Sequence, residues 1–130
     1  MKLFEGLSRY RPQALGVLRI VTALQFIEHG TQKLFNFPVG EHAGALSGLP
    51  LAAGILEFAG GILLALGLLT RSVAFLLAGE MAIAYFMAHA PRDFFPVNNG
   101  GDAAISFCFI FLYLVFAGAG AFALDNRRNA

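Results

Sequence analysis

The sequence predicts an all-α integral membrane protein folded as an antiparallel four-helix bundle. Three observations carry this reading. Hydrophobic residues make up 58% of the 130 residues and the mean hydropathy is +0.69, too apolar for a water-soluble fold of this size. Four apolar segments, residues 14–35, 51–69, 73–90 and 103–122, approach the roughly 20 residues needed to cross hydrocarbon. Together they use most of the chain, so residues 1–130 read as one transmembrane domain with no room for a soluble one.

The punctuation between segments fits four helices. Pro12 can open the first, and Asn36-Phe37-Pro38 closes it. A loop with Gly40, Gly44, Gly48 and Pro50 follows. Thr70-Arg71 reads as a tight link between the second and third helices. Pro91, Pro96 and the run Asn98-Asn99-Gly100-Gly101 form the last loop, where Asn98, Asn99 or Asp102 can cap the fourth helix. The first segment is interrupted by Arg19 and Glu28 and lacks a clear small-residue cleavage site. It is therefore expected to stay as a helix rather than leave as a signal peptide. His29 and His89 each precede a phenylalanine by six residues (Phe35 and Phe95), a faint sign of a duplicated hairpin or a coincidence in a Phe-rich chain.

Lys and Arg outside the spans set the orientation. Lys2, Arg9, Arg11, Arg71, Arg127 and Arg128 fall on one side, and only Lys33 and Arg92 lie near the other. Both termini are therefore expected in the cytoplasm. The net charge of +1 is uninformative, and no basic run suggests nucleic acid.

Charge inside hydrocarbon costs at least ~2.5–3.5 kcal/mol, so ionisable residues there are rare and usually functional. On the first helix Thr22, Gln25, His29 and Lys33 share one stripe. Glu57 shares a face with Ala53, Gly54, Gly60, Gly61 and Leu64 on the second. Ala78, Ala82, Tyr85 and His89 align on the third, and Asp102, Ser106, Phe109 and Tyr113 on the fourth. Four polar stripes are thus expected to meet near the outer mouth of the bundle. Glu80 lies half a turn from His89 in a regular helix. It is expected to face lipid, a second copy of the chain, or a bend, either protonated or in a subunit interface.

These residues admit functional and structural readings. His29, Glu57 and His89 can form a redox or proton-exchange site, with Lys33, Tyr85, Asn99 and Asp102 as cofactor-binding groups at its mouth. A quinone ring could stack on Phe26, Phe86 or Phe109. Haem and metal are weaker candidates, because no H-x-x-H or E-x-x-H spacing fixes a ligand geometry. The structural readings are a Glu57–His29 or Glu57–Lys33 pair that sets helix register, an Arg19 that snorkels or pairs across the bundle, and a cap-and-turn role for Asn99 to Asp102. Cys108, alone and mid-helix, reads as a small hydrophobe, and dithiol chemistry within this chain is excluded.

Leu18-Arg19, His29-Gly30, Lys33-Leu34-Phe35, Glu57 with Gly60-Gly61, and Leu66-Gly67-Leu68-Leu69-Thr70-Arg71 stand in an order and spacing that resemble the DoxX family. So do His89-Ala90-Pro91, Asn99-Gly100-Gly101-Asp102, and Gly118-Ala119-Gly120 before Leu124-Asp125. Ala119 and Ala123 depart from the family's usual Gly-Pro-Gly and Ser, and Asp102 stands where Glu is commoner. The resemblance implies a four-helix membrane protein. It also implies a subunit of a quinone-linked oxidoreductase or oxidative-stress system in the bacterial inner membrane, working with a redox partner protein. The alternative is a non-enzymatic scaffold or a small-solute binding or permeation protein.

Overall fold

The computed structural model describes residues 2–40 and 47–128; Gly44 of the expected loop lies outside them. After a 3₁₀ segment, Lys2–Tyr10, come α1 (Arg11–Phe35), α2 (Gly48–Leu66) and α3 (Thr70–Ala84), which runs on as a π-helix over Tyr85–His89. Short α4 (Pro96–Asn99), α5 (Asp102–Ala117) and α6 (Asp125–Arg128) complete the order. The described residues contain no strand.

Local chemistry accounts for most boundaries. Pro12 stands in the first turn of α1, where its missing N–H has no helical partner to lose. Asn36 ends α1 in the left-handed region at φ 52°, a conformation asparagine tolerates better than most. Two expectations shift. The α2–α3 link is Gly67-Leu68-Leu69, not Thr70-Arg71. Gly67 closes α2 at φ 67°, and Thr70 already belongs to α3. The last helix ends at Ala117, five residues before the expected 122, because Gly118 turns away at φ 81°.

The long helices pair as two antiparallel hairpins. In the first, α2 lies close on α1 because glycines stand at the crossing. A Cβ at Gly30 would come within 2.6 Å of the Phe58 backbone nitrogen, and one at Gly61 within 2.6 Å of Ile27. Small residues at such contacts let membrane helices approach closely. In the second hairpin, Arg71 at the start of α3 reaches the carbonyls ending α5, and Tyr85 at its far end packs on Gly101. Phe26 joins the hairpins, edge-on to Phe111 at 4.9 Å and Phe107 at 5.4 Å. Ala23, Leu64, Leu77 and Leu114 complete the core around it.

Outside this core the surface is apolar: Leu24, Ile55, Phe75, Ile83 and Phe116 are all exposed. Among the described residues two helices, Gly48–Leu66 and Thr70–His89, are long and apolar enough to cross a membrane, and α5 is apolar but only 16 residues long.

One end of the molecule is tied by Arg19, which is fully buried. Its Nε donates to Leu64 O at 2.8 Å. Nη1 donates to Ala119 O and, at 3.1 Å, to Ala121 O, and Nη2 donates to Phe122 O at 2.7 Å. Of the two expected roles, pairing across the bundle is the observed one, with carbonyls as partners. Asp125 caps α3 beside it, accepting from the backbone N–H of Leu69 at 2.8 Å and of Thr70 at 2.9 Å.

Gly30→Ala should destabilise the chain by about 1–3 kcal/mol through overpacking against α2, and lower the melting temperature in mild detergent. Gly79→Ala is the control, since a Cβ there meets nothing within 4 Å. It should leave stability unchanged or raise it by up to ~1 kcal/mol.

Candidate functional site

The inward face of α2 is Gly54, Glu57, Gly60, Gly61 and Leu64, all buried. The close approach of α1 brings Lys33, in its last turn, over Glu57. Lys33 Nζ donates to Glu57 Oε1 at 2.7 Å and Oε2 at 2.6 Å, so one ammonium serves both oxygens. The Glu57 side chain is 3% exposed and that of Lys33 is 33%. Of the two register-setting partners expected for Glu57, Lys33 is the one observed.

Glu80 departs from two of the three settings expected for it. Its carboxyl is not turned to lipid or to a second subunit. Both oxygens are buried and accept from no N–H or O–H donor among the described residues. They lie against the carboxyl of Glu57, within hydrogen-bonding reach, with Lys33 as the nearest cation. The expectation failed because it gave α3 a single inward face. Packed between α2 and α5, α3 has two: Glu80 turns to α2, while Tyr85 and His89 turn to α4 and the start of α5. The π-helical turn, closed by Ala90 N–H donating to Tyr85 O at 2.9 Å, also alters the phase between Glu80 and His89. Such turns frequently mark functional sites.

The other candidates divide into separate groups. Asn99, 1% exposed, donates through Nδ2 to Tyr85 Oη and to Asp93 O, both at 3.1 Å, and its Oδ1 accepts from Gly101 N–H at 2.8 Å. His89 Nδ1 lies 3.1 Å from Asn99 O. Tyr85, His89 and Asn99 therefore lock the loop between α3 and α5. His29 stands apart, exposed on α1, with its ring edge-on to Phe107 at 5.7 Å. Asp102 is exposed at the first residue of α5.

The polar stripe of α5 does not face inward. Asp102, Ser106, Phe109 and Tyr113 are all exposed, because the helix buries Ala104, Phe107, Phe111 and Leu114 instead. The aromatics weighed for ring stacking also separate. Phe26 is in the core, whereas Phe86 and Phe109 lie on the outer surface. Among the described residues, no three His, Cys, Asp or Glu side chains gather where a metal ion could sit.

A site made of Lys33, Glu57 and Glu80 has a definite chemical capacity. Two carboxyls in contact cannot both stay ionised without strong repulsion, and a hydrogen bond between them needs a proton on one. One lysine supplies one positive charge for the pair.

The comparisons with known proteins bear on what such a site serves. The DoxX family model matches residues 14–90, more than half of the chain. The chain belongs to the DoxX family. It is a membrane protein, consistent with its apolar surface and two helices of spanning length. An uncharacterized Haemophilus influenzae protein is 49% identical over 128 residues, covering 94% of this chain and 96% of the relative. The Escherichia coli inner membrane protein YqjF is 29% identical over 126 residues, covering 87% and 90%. No solved structure matches.

Lys33→Met should strand the Glu57 charge and lower stability by roughly 3 kcal/mol, the low end for breaking a buried pair, since Lys33 is one-third exposed. Adding Glu57→Leu should restore most of that loss. Thermal unfolding of the single and double variants in detergent measures both.

Proposed function

We propose that this DoxX-family chain is a four-span inner-membrane subunit of a quinone-linked redox system, in which Glu57 and Glu80 hold and release one proton. The observation that carries the reading is the carboxyl pair: two buried acids in contact, with a single lysine bonded to one of them. A purely structural ion pair needs no second carboxyl. The extra acid gives the pair a proton to exchange.

The topology in this reading puts both termini in the cytoplasm, because Arg9, Arg11, Arg71 and Arg127 share the end opposite Lys33. All four long helices then cross the bilayer, with α5 the shortest. The E. coli relative is named an inner membrane protein, which supports the same placement here.

The residues present fit a quinone head group. His29 is exposed on α1 beside Phe107, and Lys33 is one-third exposed. Both carry N–H donors suited to a carbonyl oxygen arriving from the lipid side, and the aromatic edge of Phe107 offers apolar contact. A bound quinone would supply the electron-accepting chemistry. Glu57 and Glu80 sit behind Lys33, where a carboxyl pair can take up or return the proton. His89, held on Asn99 O, positions the loop rather than touching the head group. Electrons reach this chain from a partner protein.

Two outcomes are expected. Protein purified in mild detergent should carry quinone detectable by mass spectrometry of its lipid extract, and His29→Ala should lose it. In membranes, the part of quinone reduction that disappears on deleting the chain should fall at least tenfold in Glu57→Gln and in Glu80→Gln, as general acid–base steps are worth roughly 10²–10⁴-fold. Full activity in both carboxamide variants contradicts the proposal.

A further inference from the structure

The end of the molecule opposite Lys33 carries a groove whose floor includes Ala119 and Ala121, the loop residues that Arg19 holds. A cavity of about 630 Å³ opens between the start of α3 and the loop after α5, lined by Thr70, Arg71, Ser72, Gly118, Gly120 and Asn126 among others. A second groove of about 450 Å³ runs from it along the outside of α3, between Phe75 and Leu76 on one wall and Val115 on the other. Arg71 and Ser72 line both, so the two are continuous. One limb is polar and sits at the end of the helices; the other is apolar and lies on the surface that faces lipid.

Arg71 is held in place rather than left to wander. Its Nη1 donates to Val115 O and Phe116 O, each at 2.7 Å, which fixes the guanidinium across the end of α5. Nη2 and Nε make no hydrogen bond among the described residues, and Arg71 is exposed. Gly118 keeps that edge open, since a Cβ there would stand 3.0 Å from Nη2. Beside it the Thr70 hydroxyl is buried without a partner among the described residues. Asp125 is the one carboxylate on the rim among the described residues, and both its oxygens already accept from the Leu69 and Thr70 backbone. Arg9, Arg11 and Arg127 are exposed at the same end, so the surrounding field is positive.

We infer that this groove binds an anionic glycerophospholipid, its phosphate on the free edge of Arg71 and on Ser72, and one acyl chain along Phe75, Leu76 and Val115. A fixed guanidinium with two unused N–H directions matches phosphate oxygens. The apolar limb selects a lipid over free phosphate, which has no use for it. The positive end of the chain selects an anionic head group over a zwitterionic one. The inference requires that the protein lives in a membrane. It is independent of the quinone reading.

Native mass spectrometry of the detergent-purified full chain tests it, with phosphatidylglycerol, phosphatidylcholine of the same acyl chains, and inorganic phosphate as probes. Phosphatidylglycerol should bind at least tenfold more tightly than phosphatidylcholine, and inorganic phosphate should bind more weakly than either lipid. Arg71 also holds α5, so the variant of choice is Ser72→Glu at an exposed position. It should weaken phosphatidylglycerol at least tenfold with the melting temperature unchanged. If Ser72→Glu lowers the melting temperature, Phe75→Ala decides instead, with a loss of at least threefold expected. Equal binding of the two lipids, wild-type phosphatidylglycerol binding in the deciding variant, or phosphate binding as tight as the lipid's would each overturn the inference.

Discussion

Everything in this chain depends on bringing α1 and α2 close enough for Lys33 to reach Glu57. Inside a membrane there is no water to compensate a carboxylate, so Glu57 is tolerable only with a partner at hydrogen-bond distance. The partner is a lysine one turn from a helix end, with a stem long enough to leave its head partly exposed. Gly30 makes that reach possible, because a Cβ there would run into the Phe58 backbone, and Gly54 and Gly61 leave room for the side chains of Lys33, Leu34 and Ile27. Packing and electrostatics are therefore one constraint: the glycines are small so that the charges can meet.

The two ends of the molecule use the same principle for different ends. At one, Arg19 satisfies three carbonyls of the irregular loop after α5 and ties them to Leu64 O of α2, and Asp125 satisfies two N–H groups at the start of α3. Arg71 divides its guanidinium, one nitrogen spent on the end of α5 and the outer edge left exposed. At the other end, Asn99 spends its whole amide on the loop between α3 and α5. The region between α1, α2 and α3 holds a buried acid in excess of structural need, since no N–H or O–H donor among the described residues bonds Glu80.

Much of this was legible in the sequence. The helical class, the helix starts at Pro12 and near Asp102, the inward face of Glu57 with its glycines and the membrane setting all follow from period, punctuation and composition. What the sequence concealed has physical causes. Glu80 was misplaced because helical phase was measured from one inward face, and a helix packed between two neighbours has two. The α5 stripe was misread because polarity was taken to mark the inside. In lipid, packing decides instead, and Ala104, Phe107, Phe111 and Leu114 interlock with the rest of the core. The grouping of Tyr85 and His89 with Asn99, away from Glu57, depends on the π-turn, which no residue pattern announces. The early end of α5 was visible as Gly118, but the apolar run beyond it outweighed the glycine.

In the proposed function Glu57 and Glu80 share a proton. Infrared difference spectroscopy on the protein in lipid at neutral pH tests it most directly, comparing the wild type with Glu80→Gln. The account predicts a protonated-carboxyl stretching band in the wild type that disappears in Glu80→Gln. A wild type with no such band, or a band that survives the substitution unchanged, would contradict it.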